Sequence, residues 1–177
     1  MVISIYGGSG SGKTTLATAL QQYFLNDGRG CYLLSGDDYP HRIPKRNDEE
    51  QLRVYKEAGE DGLRGYLGTK KEIDFARINE VLAAFHEGKD TITLRHLERE
   101  DGEISSEETD FSGTSVLLLE WTHGGSDDLH GVDLSVFLES SPEETKERRI
   151  RRNRDENAAS PFICRACTIP ISTGDFP

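Results

Sequence analysis

Short apolar runs alternate with amphipathic segments along most of the chain. Residues 2–6 (VISIY) form an apolar run, and beyond a glycine-rich turn the apolar side chains of residues 13–26 recur at helical spacing. Gly28 and Gly30 end this segment, and residues 31–35 (CYLLS) form the next apolar run. The order predicts a strand, a helix and a strand, with a length that suits a parallel crossover.

Two further helices are predicted between residues 47 and 88. The stretch 47–58 opens on NDEE, which fits a capping box, and the four glycines within residues 59–68 predict a loop after it. Thr69 and Glu72 repeat the capping pattern before an amphipathic segment that Gly88 ends. We therefore expect two helices joined by a glycine-rich loop.

The next part of the chain has one alternating segment and two continuous apolar runs. Residues 91–100 alternate polar and apolar side chains and are predicted to pair with residues 102–108 across an Asp-Gly turn. Residues 116–121 (VLLLEW) fit a central parallel strand buried on both faces. A second run, residues 133–139, precedes a helix start with Ser141 as N-cap. Strands that alternate with helices predict an α/β fold with a mainly parallel sheet.

Charge and composition indicate which classes of partner and which cellular compartment to expect. The 177 residues include 21 Lys and Arg against 32 Asp and Glu, a formal net charge of −11. Such a chain repels nucleic acid and acidic membranes, so neither is expected as a partner. We expect a cytoplasmic protein, because no apolar run has the length of a membrane span and the N-terminus does not resemble a signal peptide. The C-x-x-C at Cys164 and Cys167 lacks the further ligands of a zinc site.

A phosphate-binding motif follows the first strand. Residues 7–14 (GGSGSGKT) fit G-x-x-x-x-G-K-[ST] between a predicted strand and a predicted helix, which is the context that this motif requires. Backbone N–H groups of such a loop hold phosphates, Lys13 reaches the β and γ phosphates, and the Thr14 hydroxyl binds Mg²⁺. The predicted nucleotide-binding residues are Gly7, Gly8, Ser9, Gly10, Ser11, Gly12, Lys13, Thr14 and Thr15.

Two acids and a group of cations follow the second strand. Asp37 and Asp38 end a strand that we expect to lie next to the P-loop strand, where open α/β sheets place their ligand crevice. A carboxylate there would position an acceptor hydroxyl and take its proton, although an Asp pair in SGDDYP also fits the cap of a turn. The cations suited to an anionic or polyhydroxylated acceptor are His41, Arg42, Lys45 and Arg46.

Four motifs together resemble the uridine kinase and phosphoribulokinase family. They are the P-loop, DDYP at residues 37–40, the strand-end acid in LLLEW and RRIRRNRD at residues 148–155. The chain departs from the family at Trp121, where a glycine usually follows the strand-end acid. The resemblance implies a P-loop NTPase-like three-layer sandwich with a mainly parallel central sheet. The residue pattern adds a small β-hairpin insertion and an irregular C-terminal tail, and the tail is a second departure from the family.

The resemblance also implies roles for individual residues. Asp37 becomes the general base, with Asp38 as the alternative, and Asp37 also lies at the metal. Glu120 acts on magnesium, either directly or through water. Arg151 and Arg154 become lid residues that contact the phosphates of ATP.

The acceptor-binding candidates are drawn from three segments and are Asp38, Tyr39, His41, Arg42, Arg95, His96 and His123. Arg95 and His96, on the predicted hairpin, fit exposed strand positions equally well. His123 fits contact with an acceptor or a phosphate, and it also fits a histidine that satisfies a turn. The five arginines of residues 148–154 fit a phosphate lid, a solvated helix face or a nucleic-acid patch, and the net charge of −11 favours the phosphate lid.

The predicted function is ATP- and Mg²⁺-dependent transfer of the γ-phosphoryl group to a hydroxyl of a small metabolite such as a nucleoside or a sugar. Two alternatives remain. The first is an adenylylsulfate kinase, because residues 33–42 (LLSGDDYPHR) resemble the DGDN-type stretch of those enzymes. The second is a regulatory NTPase without an acceptor. We expect one domain over residues 1–177, with its lid at about 142–157 and an atypical, shortened tail at about 163–177. An exposed sheet edge left by that tail would favour a homodimer.

Overall fold

The computed structural model describes residues 1–97, 103–141, 143–145 and 148. Arg151, Arg154 and the predicted tail lie outside the described residues. None of the described helices has the length and apolarity to cross a bilayer. The elements in chain order are β1 (Val2–Gly7), α1 (Lys13–Asn26), β2 (Gly30–Ser35), a 3₁₀ turn (Gly36–Asp38), α2 (Pro44–Arg64), α3 (Phe75–His86), β3 (Thr91–Leu97), β4 (Ile104–Asp110), β5 (Thr114–Trp121) and β6 (Leu134–Leu138).

Within the described residues, the central sheet has four parallel strands in the order β2, β5, β1, β6. This confirms the predicted parallel α/β fold. The sheet corrects one prediction, because β5 separates β2 from β1 and the strand before Asp37 is not the neighbour of the P-loop strand. The apolar character of β5 explains its place: Leu117 and Leu118, on opposite faces, are both 0% exposed, and a strand buried on both faces belongs inside the sheet.

The two faces of the sheet are buried by different layers. Val116 and Leu118 of β5 pack in a core with α1, whereas Leu117 and Leu119 join a larger core with α3 and the β3–β4 hairpin. Because side chains alternate along a strand, Glu120 falls on the α1 side and Trp121 on the opposite side. This alternation directs the strand-end acid towards the P-loop helix.

Helix α2 is longer than predicted. It begins at Pro44, which suits the first helical position, and continues to Arg64 through a break at Gly59, where φ is +64°. The first part of the predicted glycine-rich loop is therefore helical. Asn47 does not cap the helix, because it lies inside the first turns of α2. Its side chain donates a hydrogen bond to Glu72.

The N-cap of α3 is Asp74 and not Thr69, as the capping pattern had predicted. The Asp74 carboxylate accepts a hydrogen bond from the backbone N–H of Arg77 at 3.1 Å. The predicted capping-box acid, Glu72, is buried and binds other groups. The predicted apolar face of this helix is correct, since residues such as Ile78 lie in the larger core.

The predicted antiparallel hairpin is confirmed. Its register runs from the pair Thr91 and Asp110 to the pair Leu97 and Ile104. Ile92 on its inner face is 4% exposed and packs in the larger core. The predicted Asp-Gly turn lies outside the described residues.

Candidate active site

The P-loop joins β1 to α1 and contains two buried polar side chains, Lys13 and Ser11. Lys13 is 7% exposed, and its Nζ donates hydrogen bonds to the carbonyl oxygens of Gly7 and Gly8, each at 3.0 Å. Gly7 has a φ of +148°, and a Cβ on it would overlap the Leu138 carbonyl. The buried Ser11 Oγ has no hydrogen-bond partner among the described residues. An unsatisfied hydroxyl inside a glycine-rich loop fits a phosphate oxygen as its missing partner.

Thr14 and Glu120, two of the predicted metal-binding residues, are brought together. Thr14 Oγ1 lies at the start of α1 and donates a hydrogen bond to Glu120 Oε2 at 3.3 Å. A hydroxyl and a carboxylate beside a phosphate loop are oxygen ligands of the kind that Mg²⁺ prefers. The side chains present therefore fit the magnesium ion that the P-loop implies.

The 3₁₀ turn presents the predicted general base at the carboxyl edge of the sheet. Ser35, the last residue of β2, lies opposite Glu120 in the neighbouring strand. Asp37 is exposed on the turn that follows and Asp38 is half-buried. The backbone of Gly36 packs so closely on the Trp121 indole that a Cβ would overlap the ring. Trp121, which stands where the family usually has a glycine, thus packs against this turn and supports it.

Two of the predicted acceptor contacts lie in the interior instead. Tyr39 is 0% exposed, and burial raises the pKa of its phenol to about 12. Arg95 is 8% exposed; its guanidinium donates to the Pro40 carbonyl and lies 3.5 Å from an Asp74 carboxylate oxygen. These contacts fasten the segment after β2 to the hairpin and to α3. This burial does not favour contact with an acceptor, and the acceptor role of both residues stays a prediction.

His41 and Arg42 bind the loop between α2 and α3. His41 Nε2 lies 3.1 Å from the Lys70 carbonyl, and Arg42 Nη1 donates to the Lys71 carbonyl at 3.1 Å and to the Tyr66 hydroxyl at 3.3 Å. The neighbouring cations, Lys45 and Arg46, are exposed. A polar pocket of about 370 Å³ next to α2 is lined by Arg42, Glu50, Arg53, Val54, Gly62, Tyr66 and Lys71.

The two remaining histidine candidates occupy different settings. His96 Nε2 is 3.7 Å from a Glu107 carboxylate oxygen across the hairpin. The ring of His123 meets that of Trp121 edge to face, with centroids 5.5 Å apart. A Cβ on Gly68 would lie 2.6 Å from His123 Nδ1, so the imidazole is held between an indole and a backbone.

Glu72 supports this region, although the sequence pattern assigned it only to a helix cap. It is 6% exposed and accepts hydrogen bonds from Asn47 Nδ2 at 2.8 Å, Gln51 Nε2 at 3.0 Å and the Gly68 N–H at 2.6 Å. Burial lowers the pKa of His123, and the nearby charge of Glu72 only partly opposes this effect. The imidazole is therefore neutral at pH 7.

One arginine of the predicted lid reaches the phosphate loop. Ser141 Oγ accepts a hydrogen bond from the Glu144 N–H at 3.2 Å, as predicted for an N-cap. Arg148 Nη1 then donates to the Gly10 carbonyl at 3.3 Å. The lid role of Arg151 and Arg154 stays a prediction, because both lie outside the described residues.

A comparison with protein-family models settles the family. The model of the Phosphoribulokinase / Uridine kinase family matches residues 2–160, which include the P-loop, the strand-end acid and Arg148. The chain belongs to this family. The prediction of a small-molecule kinase is thereby confirmed at the level of the family.

Individual relatives of this kinase-family chain differ widely in coverage. The chain is 92% identical over 165 residues to the bifunctional alpha-galactosidase/sucrose kinase AgaSK of Mediterraneibacter gnavus; the match covers 93% of the chain and 18% of that relative. It is 52% identical over 42 residues to adenylyl-sulfate kinase 1, chloroplastic, of Arabidopsis thaliana, covering 24% of the chain and 15% of the relative. The solved phosphoribulokinase from Rhodobacter spheroides has the same fold, with a TM-score of 0.59 at 18% identity, over 77% of this chain and 50% of that one.

Several residues of this family site carried no functional prediction from the sequence. Glu72 and Asp74 lie in a segment that the pattern assigned to a helix start, and Trp121 was noted only as a departure. Arg148 belonged to an arginine-rich stretch without being singled out from its neighbours. Each became identifiable through a partner that is distant in sequence, such as the P-loop carbonyl that Arg148 meets.

Proposed function

We propose that this chain transfers the γ-phosphoryl group of Mg-ATP to a hydroxyl of sucrose. The observation that carries this proposal is the 92% identity over 165 residues to a bifunctional alpha-galactosidase/sucrose kinase. Of the two activities in that name, phosphoryl transfer is the one that suits the family matched by residues 2–160. At this identity few side chains remain through which two kinase sites could differ in their acceptor.

The proposed reaction uses the groups at the carboxyl edge of the sheet. Asp37 accepts the proton of the acceptor hydroxyl while that oxygen forms a bond to the γ phosphorus. The bond between the γ phosphorus and the bridging oxygen breaks, and ADP carries away the electron pair. Lys13 binds the β and γ phosphates, and its charge opposes the charge that develops on the leaving oxygen.

Magnesium and the lid complete the proposed charge balance. Mg²⁺, when bound, neutralises the phosphate charge, and Thr14 and Glu120 are the residues that would hold it; their mutual contact supports this role. Arg148 already contacts the P-loop backbone, so a modest side-chain movement would bring its guanidinium to a phosphate. Arg151 and Arg154 follow three and six residues later in the sequence and are proposed to extend the same charge.

A second candidate is the adenylylsulfate kinase reaction, in which the acceptor is a sulfonucleotide. It is favoured by the 52% identity to adenylyl-sulfate kinase 1, but that match extends over only 42 residues. The sucrose proposal rests on a match that covers 93% of the chain and is therefore preferred. Both reactions use the same P-loop chemistry and differ only in the acceptor.

The experiment is an acceptor panel. ADP release from Mg-ATP by the purified chain is measured alone and with sucrose, glucose, fructose, uridine or adenylylsulfate at equal concentration. We expect sucrose to increase the rate at least tenfold over the other sugars. A larger response to adenylylsulfate would select the second candidate. ADP release that is independent of every acceptor, in protein shown to bind ATP, would contradict both and favour a regulatory NTPase.

A further inference from the structure

His123 lies just beyond the carboxyl end of a central strand of the sheet. It follows the end of β5 by two residues, and β5 lies between the strand that ends in the P-loop and the strand that leads to Asp37. The Asp37 charge raises the pKa of its imidazole and the Lys13 charge lowers it. The strand order thus places the segment after β5, which carries His123, between the P-loop and the turn that carries Asp37.

The His123 ring is packed on two sides, and no residue in the described part of the chain forms a hydrogen bond with it. The Trp121 indole contacts one side at a centroid distance of 5.5 Å, and the Gly68 backbone closes another. Gly68 is fixed in turn by its 2.6 Å hydrogen bond to buried Glu72. Neither ring nitrogen of His123 is hydrogen-bonded to any residue that the structure describes. A half-buried polar group of this kind requires a partner from solvent or from a ligand.

The state of the ring indicates which chemical group it would bind. A neutral imidazole offers one donor and one acceptor, which matches the donor and acceptor of a sugar hydroxyl. A phosphate offers acceptors only, and Lys13 already supplies a cation for it. Of the three interpretations that the sequence left open for His123, contact with an acceptor hydroxyl is the one that the surroundings favour.

We propose that His123 is a specificity-determining residue that hydrogen-bonds a hydroxyl of the sugar acceptor, a hydroxyl other than the one that is phosphorylated. This inference rests on the proposed sucrose kinase function. The rigid setting between Trp121 and Gly68 fixes the direction of the hydrogen bond. A sugar that lacks this hydroxyl, or carries it in the other configuration, would leave the imidazole unpaired and bind more weakly.

The test compares wild type with His123→Leu, which removes both nitrogens at a similar side-chain volume. We expect KM for sucrose to rise about 10- to 100-fold while the dissociation constant for ATP changes less than twofold. His130→Leu is the matched control, since His130 is also a histidine of a loop after β5 but has an exposed side chain. It should leave both constants unchanged. If His123→Leu does not fold, His123→Met serves in its place, because it also removes both ring nitrogens and its flexible side chain adapts to the space.

A set of monodeoxy sucroses separates a direct contact from a packing effect. In wild type, removal of the contacted hydroxyl should weaken kcat/KM about 10- to 100-fold, and the same removal should have almost no effect in the variant. A KM for sucrose within twofold of wild type would overturn the inference. So would a raised KM with every deoxy penalty retained, since that result means that His123 acts through packing. A wild type that does not phosphorylate sucrose at all would overturn the proposed function and this inference with it.

Discussion

Replacement of Gly36 by alanine tests whether Trp121 supports the turn that carries Asp37. A Cβ on Gly36 would lie 2.5 Å from Trp121 Cβ and closer still to the indole ring, where ordinary contacts begin near 3.4 Å. The indole has no space to retreat, because Trp121 is 1% exposed and the Phe75 ring centroid lies 5.5 Å away. The added methyl group must therefore displace the turn, the indole or both.

The size of the effect follows from overpacking in a closed core. Insertion of one methyl group into such a site costs about 1 to 3 kcal/mol, which corresponds to a fall in Tm of about 2 to 12 °C for a domain of this length. A displacement of about 1 Å at Asp37 would also lower kcat about 100-fold. We expect Gly36→Ala to lose both stability and turnover while it retains ATP binding, because the P-loop is on another strand.

The assays are thermal unfolding, nucleotide binding and sucrose-dependent ADP release, with Gly65→Ala as control. A Cβ on Gly65 would have no neighbour closer than 3.6 Å, and the residue has a φ of −76° that alanine adopts freely. The control should be neutral or slightly stabilising. A Gly36→Ala protein with unchanged Tm and unchanged kcat would refute the support that we assign to Trp121.

Two further variants test the buried acid and the metal site. Glu72→Gln replaces a carboxylate that accepts three hydrogen bonds by an amide that must turn its NH₂ group towards a donor. We expect the free energy of unfolding, measured in urea, to fall by about 1 to 3 kcal/mol. The control Glu49→Gln changes an exposed side chain and should have little effect. Equal stability of the two variants would be inconsistent with the role of Glu72. Thr14→Ala should raise the Mg²⁺ concentration for half-maximal activity at least tenfold, with recovery in Thr14→Ser and no change in Thr18→Ala. An unaltered magnesium requirement would remove Thr14 from the metal site.

The parts of the fold that the sequence predicts best are those in which local pattern and tertiary context agree. The continuous apolar run of β5 predicted burial on both faces, and its alternating side chains do pack in two cores. The P-loop needed only eight residues, because strand, glycine-rich turn and helix start are local features. Strand order does not depend on local sequence alone. The β1–α1–β2 pattern predicted that β1 and β2 are parallel, but it did not predict that β5 lies between them.

The site was less predictable from the sequence, because several of its polar side chains are buried and bind other parts of the protein. In β3, Arg95 lies on the face opposite buried Ile92 and Leu94, which predicted either an exposed side chain or contact with a substrate. In the structure it is buried beside Pro40 and Asp74. Nothing in the local pattern distinguishes a buried guanidinium from an exposed one. The partners that make burial favourable come from segments more than 20 residues away.

The measurement that tests the central proposal most directly follows the phosphoryl group itself. Purified wild type and Asp37→Asn are incubated with Mg²⁺, γ-labelled ATP and sucrose, and the label on sucrose is counted; Asp127→Asn, an exposed acid beyond β5, is the control. We predict labelled sucrose phosphate from wild type and from the control, and a rate about 10²- to 10⁴-fold lower from Asp37→Asn with ATP affinity retained. Absence of label on sucrose in wild type would contradict the proposed acceptor, and equal rates in Asp37→Asn would contradict the proposed base.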